Sequence, residues 1–185
     1  LVAQSDIIFT MLSNDEAVGI VYDEILGMTA IEGKLFIDMS TISEQLSVRI
    51  AQKLKQKNAS FLDAPVAGST QPAASGTLTI MVGGDANDLA LALPYFEKLG
   101  KFTKHVGPNG KGIATKLCVN YFLSILYLGL AETVLFAENN GINRSDLLEI
   151  INESACGSGA TKVKTPLLIN EDYKPAFALS LMQKD

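Results

Sequence analysis

Cysteine, histidine and tryptophan are scarce in this chain of 185 residues, which has 2 Cys, 1 His and no Trp. Two cysteines, Cys118 and Cys156, are too few for a disulfide framework or a zinc site, and no metal site is expected. We expect both to be small buried side chains in a reducing cytosol, which favours a cytoplasmic protein. The single histidine, His105, lies at the end of a predicted strand and is expected to be structural rather than a general base.

Basic clusters and long apolar runs are also missing. Lys and Arg number 15 against 20 Asp and Glu, which gives a net charge of −5 without any basic run. Nucleic-acid binding is not expected, because phosphate contacts need a clustered positive face. The longest apolar stretch, 121–136, is interrupted by polar residues and falls short of the roughly 18–20 residues of a membrane span. With 48% hydrophobic and 19% charged residues, the chain is not disordered either.

Short apolar runs alternate with helical patterns through the first 107 residues. The predicted strands are 6–10, 35–38, 60–66, 78–82 and 101–106, and helical patterns cover 15–26, 42–57 and the stretch around 89–99. This alternation predicts an α/β fold with a parallel sheet of βαβ units. Residues 67–77 are rich in Gly, Ser, Ala and Pro and predict a loop. Asn14 or Ser13 should cap the first helix, and the spacing of Thr41 and Glu44 is that of a capping box for the second.

The character of the sequence changes after Pro108. One apolar helical pattern runs from about 112 to 140 and ends at Gly141, a rod of about 40 Å that suits a spine between two domains. A second helix, 144–153 with Asn143 as its cap, and a loop at 154–161 follow. We therefore divide the chain into a sheet domain, 1–108, and a helical part, 109–185.

Ligands of a parallel α/β sheet lie outside the carboxyl ends of its strands. Three segments follow predicted strands there: Met11–Asn14, Met39–Thr41 and Pro65–Ser69. A single Ser or Thr at such a place is usually a helix cap, but three segments on one edge favour a binding crevice. A Gly-x-Gly-x-x-Gly phosphate loop is absent, and the partial matches 110–112 and 157–159 do not lie between a strand and a helix. Either this is not a dinucleotide fold, or that loop lies upstream of Leu1.

Lys116 and Asn120 share one face of the long helix, because they are four residues apart. Together they could hold and polarise a carbonyl oxygen. The alternative, which spacing alone favours, is a lysine whose stem runs along an apolar helix to solvent. Cys118 projects about 200° around the helix from Lys116 and is a poor catalytic partner.

Two long motifs resemble those of the β-hydroxyacid dehydrogenase family. Residues 61–70 (FLDAPVAGST) and 74–84 (ASGTLTIMVGG) are similar to its substrate-loop motif, and 107–112 (GPNGKG) followed by 116–120 (KLCVN) is similar to its catalytic motif. Shorter matches in the same order are 10–13, 37–41 and 181–185. The resemblance covers essentially the whole chain.

The resemblance implies a Rossmann-type domain whose first βαβ unit, with the glycine fingerprint, precedes Leu1. It also implies an interdomain helix and an all-helical domain cut short at Asp185. The 185-residue chain would then be a fragment, inactive by itself, of a homodimer or homotetramer. The partners implied are small carboxylate-bearing hydroxy acids or semialdehydes, with no nucleic acid and no membrane.

Residue roles carried over by the resemblance describe an NAD- or NADP-dependent oxidoreductase. Lys116 matches the catalytic acid/base and Asn120 a substrate-holding residue. The turn Ala67, Gly68 and Ser69 matches the one that binds the substrate carboxylate. The cofactor-contacting positions are matched by Leu12, Ser13, Thr41 and Lys184. The reaction implied is reversible hydride transfer between a small β-hydroxy acid and its semialdehyde or keto acid.

Two departures bear on this assignment. The family often has Ser where this chain has Ala67, and often Asn where it has Val119. The pattern Lys-Leu-x-Val-Asn at 116–120, together with Gly-Ser at 68–69, looks more like the glyoxylate/succinic semialdehyde reductase branch. One alternative is an imine reductase on the same scaffold, against which Lys116 argues. Another is a non-catalytic module for oligomerisation or interaction, which should have lost the lysine or the substrate turn.

Overall fold

The computed structural model describes residues 1–174 together with 179 and 183. The strands in that part of the chain are β1 (Ile7–Thr10), β2 (Leu35–Asp38), β3 (Ser60–Asp63), β4 (Val66–Ala67), β5 (Leu78–Gly83) and β6 (Gly100–Gly107). The helices are α1 (Asp15–Gly27), α2 (Glu44–Lys55), α3 (Thr70–Ala74), α4 (Ala86–Leu99), α5 (Lys111–Asn139), α6 (Arg144–Glu153) and α7 (Gly159–Ile169). The chain divides into two compact units, Leu1–Val119 and Asn120–Asp185, each described by itself below. The predicted boundary after residue 108 stays a prediction.

The first unit is a six-stranded sheet with the order β1-β2-β3-β5-β4, in which β6 pairs with β5. Strands β1, β2 and β3 are parallel, as the alternating pattern predicts, and Thr10, Asp38 and Asp63 align across them. Strand β5 is antiparallel to β3 and parallel to β6. Strand β4 is also antiparallel to β5, and the connection 68–77 that joins these two strands is too short for a parallel step, which needs a crossover of a dozen or more residues. The α/β Rossmann-type class is confirmed, with a sheet that is dominated by parallel pairs.

Three local predictions in this unit are wrong. The predicted strand 60–66 is divided into β3 and β4, and the predicted loop 67–77 contains the short helix α3. Helix α2 is capped by Ser43, whose Oγ accepts from Leu46 N, and not by Thr41. Ser43 also donates its hydroxyl to Asp15 at the start of α1. The contact with α1, and not the local spacing of Thr41 and Glu44, therefore determines which residue caps α2. Asn14 caps α1 as predicted.

Each face of the sheet carries a buried apolar cluster. Phe36 and Phe61 pack on one face with α1, α2 and Ile113. The other face buries Ile37 and Leu62 against α4. Because side chains alternate along a strand, the terminal Asp38 and Asp63 project to the same side as Phe36 and Phe61. The sheet thus carries two carboxylates into an apolar layer at one edge.

The second unit is helical. Leu130 and Val134 of α5 pack with Leu148 of α6. Asn143 caps α6 as predicted, and Gly141 ends α5 with φ 75°. The predicted loop 154–161 ends early, because Ser158 forms a capping box at the start of α7.

Cys118 and Cys156 are both exposed, so the prediction that they are buried is wrong. Cys118 lies about 140° around α5 from the buried Ile113. Cys156 lies in the turn after α6, where its backbone N–H donates to Ser154 Oγ. Neither position belongs to an apolar cluster of the described residues.

Among the described residues, α5 is the one helix long and apolar enough to cross a membrane by length and composition. We expected no apolar stretch to reach the length of a membrane span. That prediction is wrong for α5, because the helix extends beyond 121–136 at both ends. Core helices of soluble proteins meet the same criterion, and the finding alone assigns no membrane.

Candidate functional site

The turns after β1 and β2 are joined by a buried hydrogen-bond network. Thr10 Oγ1 donates to Asp38 Oδ1 at 2.8 Å, and Ser40 Oγ donates to the same oxygen at 2.6 Å. Ser40 Oγ in turn accepts from Leu12 N at 2.8 Å. The segments 11–14 and 39–41, which the sequence placed on one edge, are therefore held against each other.

Asp38 is the centre of this network and has no exposed surface. Burial raises the pKa of Asp38, although the hydrogen bonds from Ser40 and Thr10 oppose that shift. Its Oδ2 has no hydrogen-bond partner among the described residues. The hydroxyls of Tyr22 and Thr10 lie 2.9 Å apart, and burial followed by the charge of Asp38 raises the pKa of Tyr22. Through Ser40, this network fixes the backbone N–H of Leu12.

The third predicted segment begins next to this network, because Ala64 N donates to Asp38 O at 2.7 Å. In the turn that follows, Gly68 has φ 135°. A Cβ there would lie 2.8 Å from Leu78 Cδ2 and 2.9 Å from Pro72 Cβ, so the turn requires glycine. Ser69 precedes α3, but its side chain makes no capping hydrogen bond. Gly68 and Ser69 are exposed, and Ser69 O accepts from Ala73 N at 3.1 Å at the start of α3.

Helix α5 begins at the carboxyl end of β3. The buried Asp63 accepts from Gly110 N at 2.8 Å and from Ile113 N at 3.0 Å. Burial raises the pKa of Asp63, and the two backbone N–H groups oppose that shift. Lys116, one turn beyond Ile113, is half-buried, and Asn120 is 6% exposed. The helix that carries the predicted acid/base is thus anchored at the same sheet edge as the three turns.

The structure brings together most of the predicted site positions of the first unit. Leu12 and Ser13 lie in the turn that bonds to Ser40, next to Thr41. The turn 67–69 follows β3 and pairs with β5 through Ala67. Lys184 lies outside the described residues. The roles of these residues stay predictions.

Sequence reasoning missed Asp38 and Asp63 as parts of the site. Asp38 lies in the family-like segment 37–41 and Asp63 in 61–70, but neither residue was assigned a role from the sequence. The signal that could have found them is an acidic residue ending an apolar strand, in LFID and again in SFLD. Acidic side chains are almost never fully buried without partners, so such a position demands donors from elsewhere in the fold. His105, by contrast, has the structural role expected for it, with Nε2 2.8 Å from Gly84 O.

Two family models match the chain end to end. The NAD-binding domain of 6-phosphogluconate dehydrogenase matches residues 1–109. The NAD-binding model of NADP-dependent 3-hydroxyisobutyrate dehydrogenase matches residues 110–185. These matches identify NAD or NADP as the cofactor.

Individual relatives agree with the family models. The chain is 36% identical to an NAD-dependent L-serine dehydrogenase of Pseudomonas aeruginosa, over 98% of this chain and 64% of that protein. It is 35% identical to the mitochondrial 3-hydroxyisobutyrate dehydrogenase of Drosophila melanogaster, over 100% of this chain and 59% of that protein. A solved Mycobacterium tuberculosis 3-hydroxyisobutyrate dehydrogenase with L-serine superposes with a TM-score of 0.88 at 34% identity, covering 99% of this chain and 65% of that one. The chain therefore spans less than two thirds of the length of these relatives.

Proposed function

The chain belongs to the β-hydroxyacid dehydrogenase family, and we propose that the complete protein interconverts a small β-hydroxy acid and its semialdehyde or keto acid with NAD(P). The observation that carries this proposal is the placement of Lys116 on a helix anchored by Asp63, at the sheet edge where the three turns meet. A cytoplasmic location, expected from the low cysteine count, and a homodimer or homotetramer, taken from the resemblance, are parts of the same proposal.

The residues at this edge fit the nicotinamide end of the cofactor. Dinucleotides bind outside the carboxyl ends of the strands of such sheets. Leu12, Ser13 and Thr41 would hold it there, and the network around Asp38 keeps their backbone in place before binding. When bound, NAD(P) supplies or takes up the hydride.

Lys116 is the proposed acid/base. A lysine side chain is ordinarily protonated at neutral pH. In the reduction, Lys116 Nζ can therefore donate a proton to the oxygen on which negative charge develops. In the oxidation the neutral amine accepts that proton from the hydroxyl group. Asn120 lies on the same helix face and would orient the same oxygen with its amide N–H.

The turn 67–69 is the proposed site of the substrate carboxylate. Ala67 has no hydroxyl, so the donors are the backbone N–H groups and the hydroxyl of Ser69, which α3 does not use as a cap. The names of the relatives suggest hydroxy acids of the size of L-serine and 3-hydroxyisobutyrate. Glyoxylate and succinic semialdehyde should be tested as substrates too, because residues 116–120 and 68–69 look more like the glyoxylate/succinic semialdehyde reductase branch of the family.

The decisive experiment compares Lys116→Ala with Lys111→Ala in the complete protein. Lys111 lies on the same helix and pairs with Glu44 at the surface, so its loss removes a similar charge without touching the site. We expect Lys116→Ala to lower kcat about 10²- to 10⁴-fold and to change KM for NAD(P)H by less than about threefold. Lys111→Ala should keep turnover within about twofold. Equal turnover in the two variants would refute the role of Lys116.

The substrate trial separates the alternatives. NADH and NADPH oxidation is followed with glyoxylate, succinic semialdehyde and the semialdehydes of L-serine and 3-hydroxyisobutyrate, with a cyclic imine as a further arm. Turnover of the imine alone would identify an imine reductase. Cofactor binding without turnover of any of these compounds would favour a non-catalytic module.

A further inference from the structure

Asp63 joins the sheet to the helix that carries Lys116. The side chain has no exposed surface, and its two oxygens accept one backbone N–H from Gly110, just before α5, and one from Ile113 in its first turn. These N–H groups have no partner within a helix, and the positive end of the helix dipole favours a carboxylate there. Asp63 is 47 residues from Gly110 in sequence, so this is a tertiary cap and not a local one.

Two glycines let the carboxylate reach the helix. A Cβ on Gly83 would lie 2.7 Å from both Asp63 oxygens, and a Cβ on Gly112 would lie 2.8 Å from Asp63 Oδ2. Ordinary contact begins at about 3.4 Å, so any larger residue at either position would push the helix and the carboxylate apart.

Three further bonds fasten the same junction. Asn109 Nδ2 donates to Phe61 O at 2.8 Å, and Gly84 N donates to Gly107 O at 2.9 Å. His105 Nε2 lies 2.8 Å from Gly84 O. The segment that leads into α5 is therefore bonded to the strand carrying Asp63 and to the turn after β5. The start of the helix cannot shift without breaking these bonds.

We propose that Asp63 is a positioning residue for the reaction, setting where Lys116 stands by capping α5. This inference rests on the proposed function. Lys116 is three residues beyond Ile113, so a displacement of the first turn passes directly to it along a rigid helix. Misplacement of a reacting group by about 1 Å can cost about 100-fold in rate.

The test uses Asp63→Asn and Asp85→Asn in the complete protein. Asp85 caps α4 in the same unit by accepting from Asn87 N, so the second variant loses the same charge at the start of another helix. At Asp63 the replacement amide retains one acceptor oxygen and turns an NH₂ group toward a backbone N–H. We expect Asp63→Asn to lower kcat about 10- to 100-fold with KM for NAD(P)H changed less than about threefold. Asp85→Asn should keep kcat within about twofold.

The assays are run well below the unfolding midpoint of each variant, so that lost turnover is not lost folding. Equal kcat values for Asp63→Asn and Asp85→Asn would overturn the proposal. Asp63→Ala, which removes both acceptors, should lower kcat further, and a higher kcat than that of Asp63→Asn would overturn it as well. If Asp63→Ala does not fold, the comparison of kcat between Asp63→Asn and Asp85→Asn still tests the proposal.

Amide hydrogen exchange separates this inference from the proposed function. Exchange at Gly110 and Ile113 should be at least about tenfold faster in Asp63→Asn than in Asp85→Asn, whatever Lys116 does. Unchanged exchange would refute the cap itself. Faster exchange in Asp63→Asn, combined with full turnover in Lys116→Ala, would refute the role of Lys116 and with it the positioning role, while the cap would stand.

Discussion

Replacing Gly112 by Ala is the most direct perturbation of the junction between the sheet and α5. The new Cβ would lie 2.5 Å from Asp63 O and 2.7 Å from Met81 O, both backbone atoms of the sheet. These distances fall about 0.9 and 0.7 Å short of ordinary contact. Neither oxygen can rotate away, so the first turn of α5 has to move.

The cost has two parts. Overpacking of this kind costs about 1–3 kcal/mol. Moving the turn also stretches the bonds that Gly110 N and Ile113 N donate to Asp63, and hydrogen bonds to charged groups contribute about 1.5–3 kcal/mol each. Because Asp63 can follow the turn in part, we expect Gly112→Ala to lower the free energy of unfolding by about 3–5 kcal/mol.

The assay is urea unfolding followed by circular dichroism, with Gly19→Ala as the matched control. Gly19 lies inside α1, and a Cβ there would meet nothing within 4 Å. Ala is the better helix former, so the control should gain about 0.5–1 kcal/mol. A loss below about 1 kcal/mol in Gly112→Ala would show that α5 is not held against the sheet as the contacts imply.

Two further predictions follow from polar groups of the first unit. Burial raises the pKa of Asp38, so the folded state holds its proton more tightly, and this residue's contribution to stability falls as pH rises from the ordinary range of Asp through the folded pKa. Asp38→Asn should make the dependence of the unfolding free energy on pH less steep over that window in urea titrations, and an unchanged slope would contradict the burial argument. Ser43→Ala should lower the free energy of unfolding by about 1–2 kcal/mol, because it removes the cap of α2 and the bond to Asp15. Ser124→Ala, a half-buried position inside α5 whose hydroxyl bonds to Tyr121 O of the preceding turn, is the control and should change it by less than about 0.5 kcal/mol; similar losses in both variants would be evidence against the cap.

Features that depend on neighbours in sequence were predictable. The alternation of apolar runs with helical patterns located β1, β2 and the helices α1, α2, α4, α5 and α6 to within a few residues. Asn14 and Asn143 were expected as caps because a cap bonds to an N–H two or three residues ahead. The pairing of Lys116 with Asn120 on one face follows from helix geometry alone.

Features that depend on partners far along the chain were not predictable. The direction of β5 depends on how the connection 68–77 turns back to pair β5 with β4. Ser43 caps α2 instead of Thr41 because Asp15, 28 residues away, bonds to it. Cys118 is exposed because the described residues pack against another side of its helix.

Consecutive residues were enough to predict the class of fold, the family resemblance and the candidate residues, because periodicity, caps and motifs are patterns of neighbouring positions. The pairing of Asp38 with Asp63 across adjacent strands, with one bound to a turn and the other to a helix, became visible only in the folded chain. A buried carboxylate requires donors, and these donors come from segments that folding brings within hydrogen-bond distance.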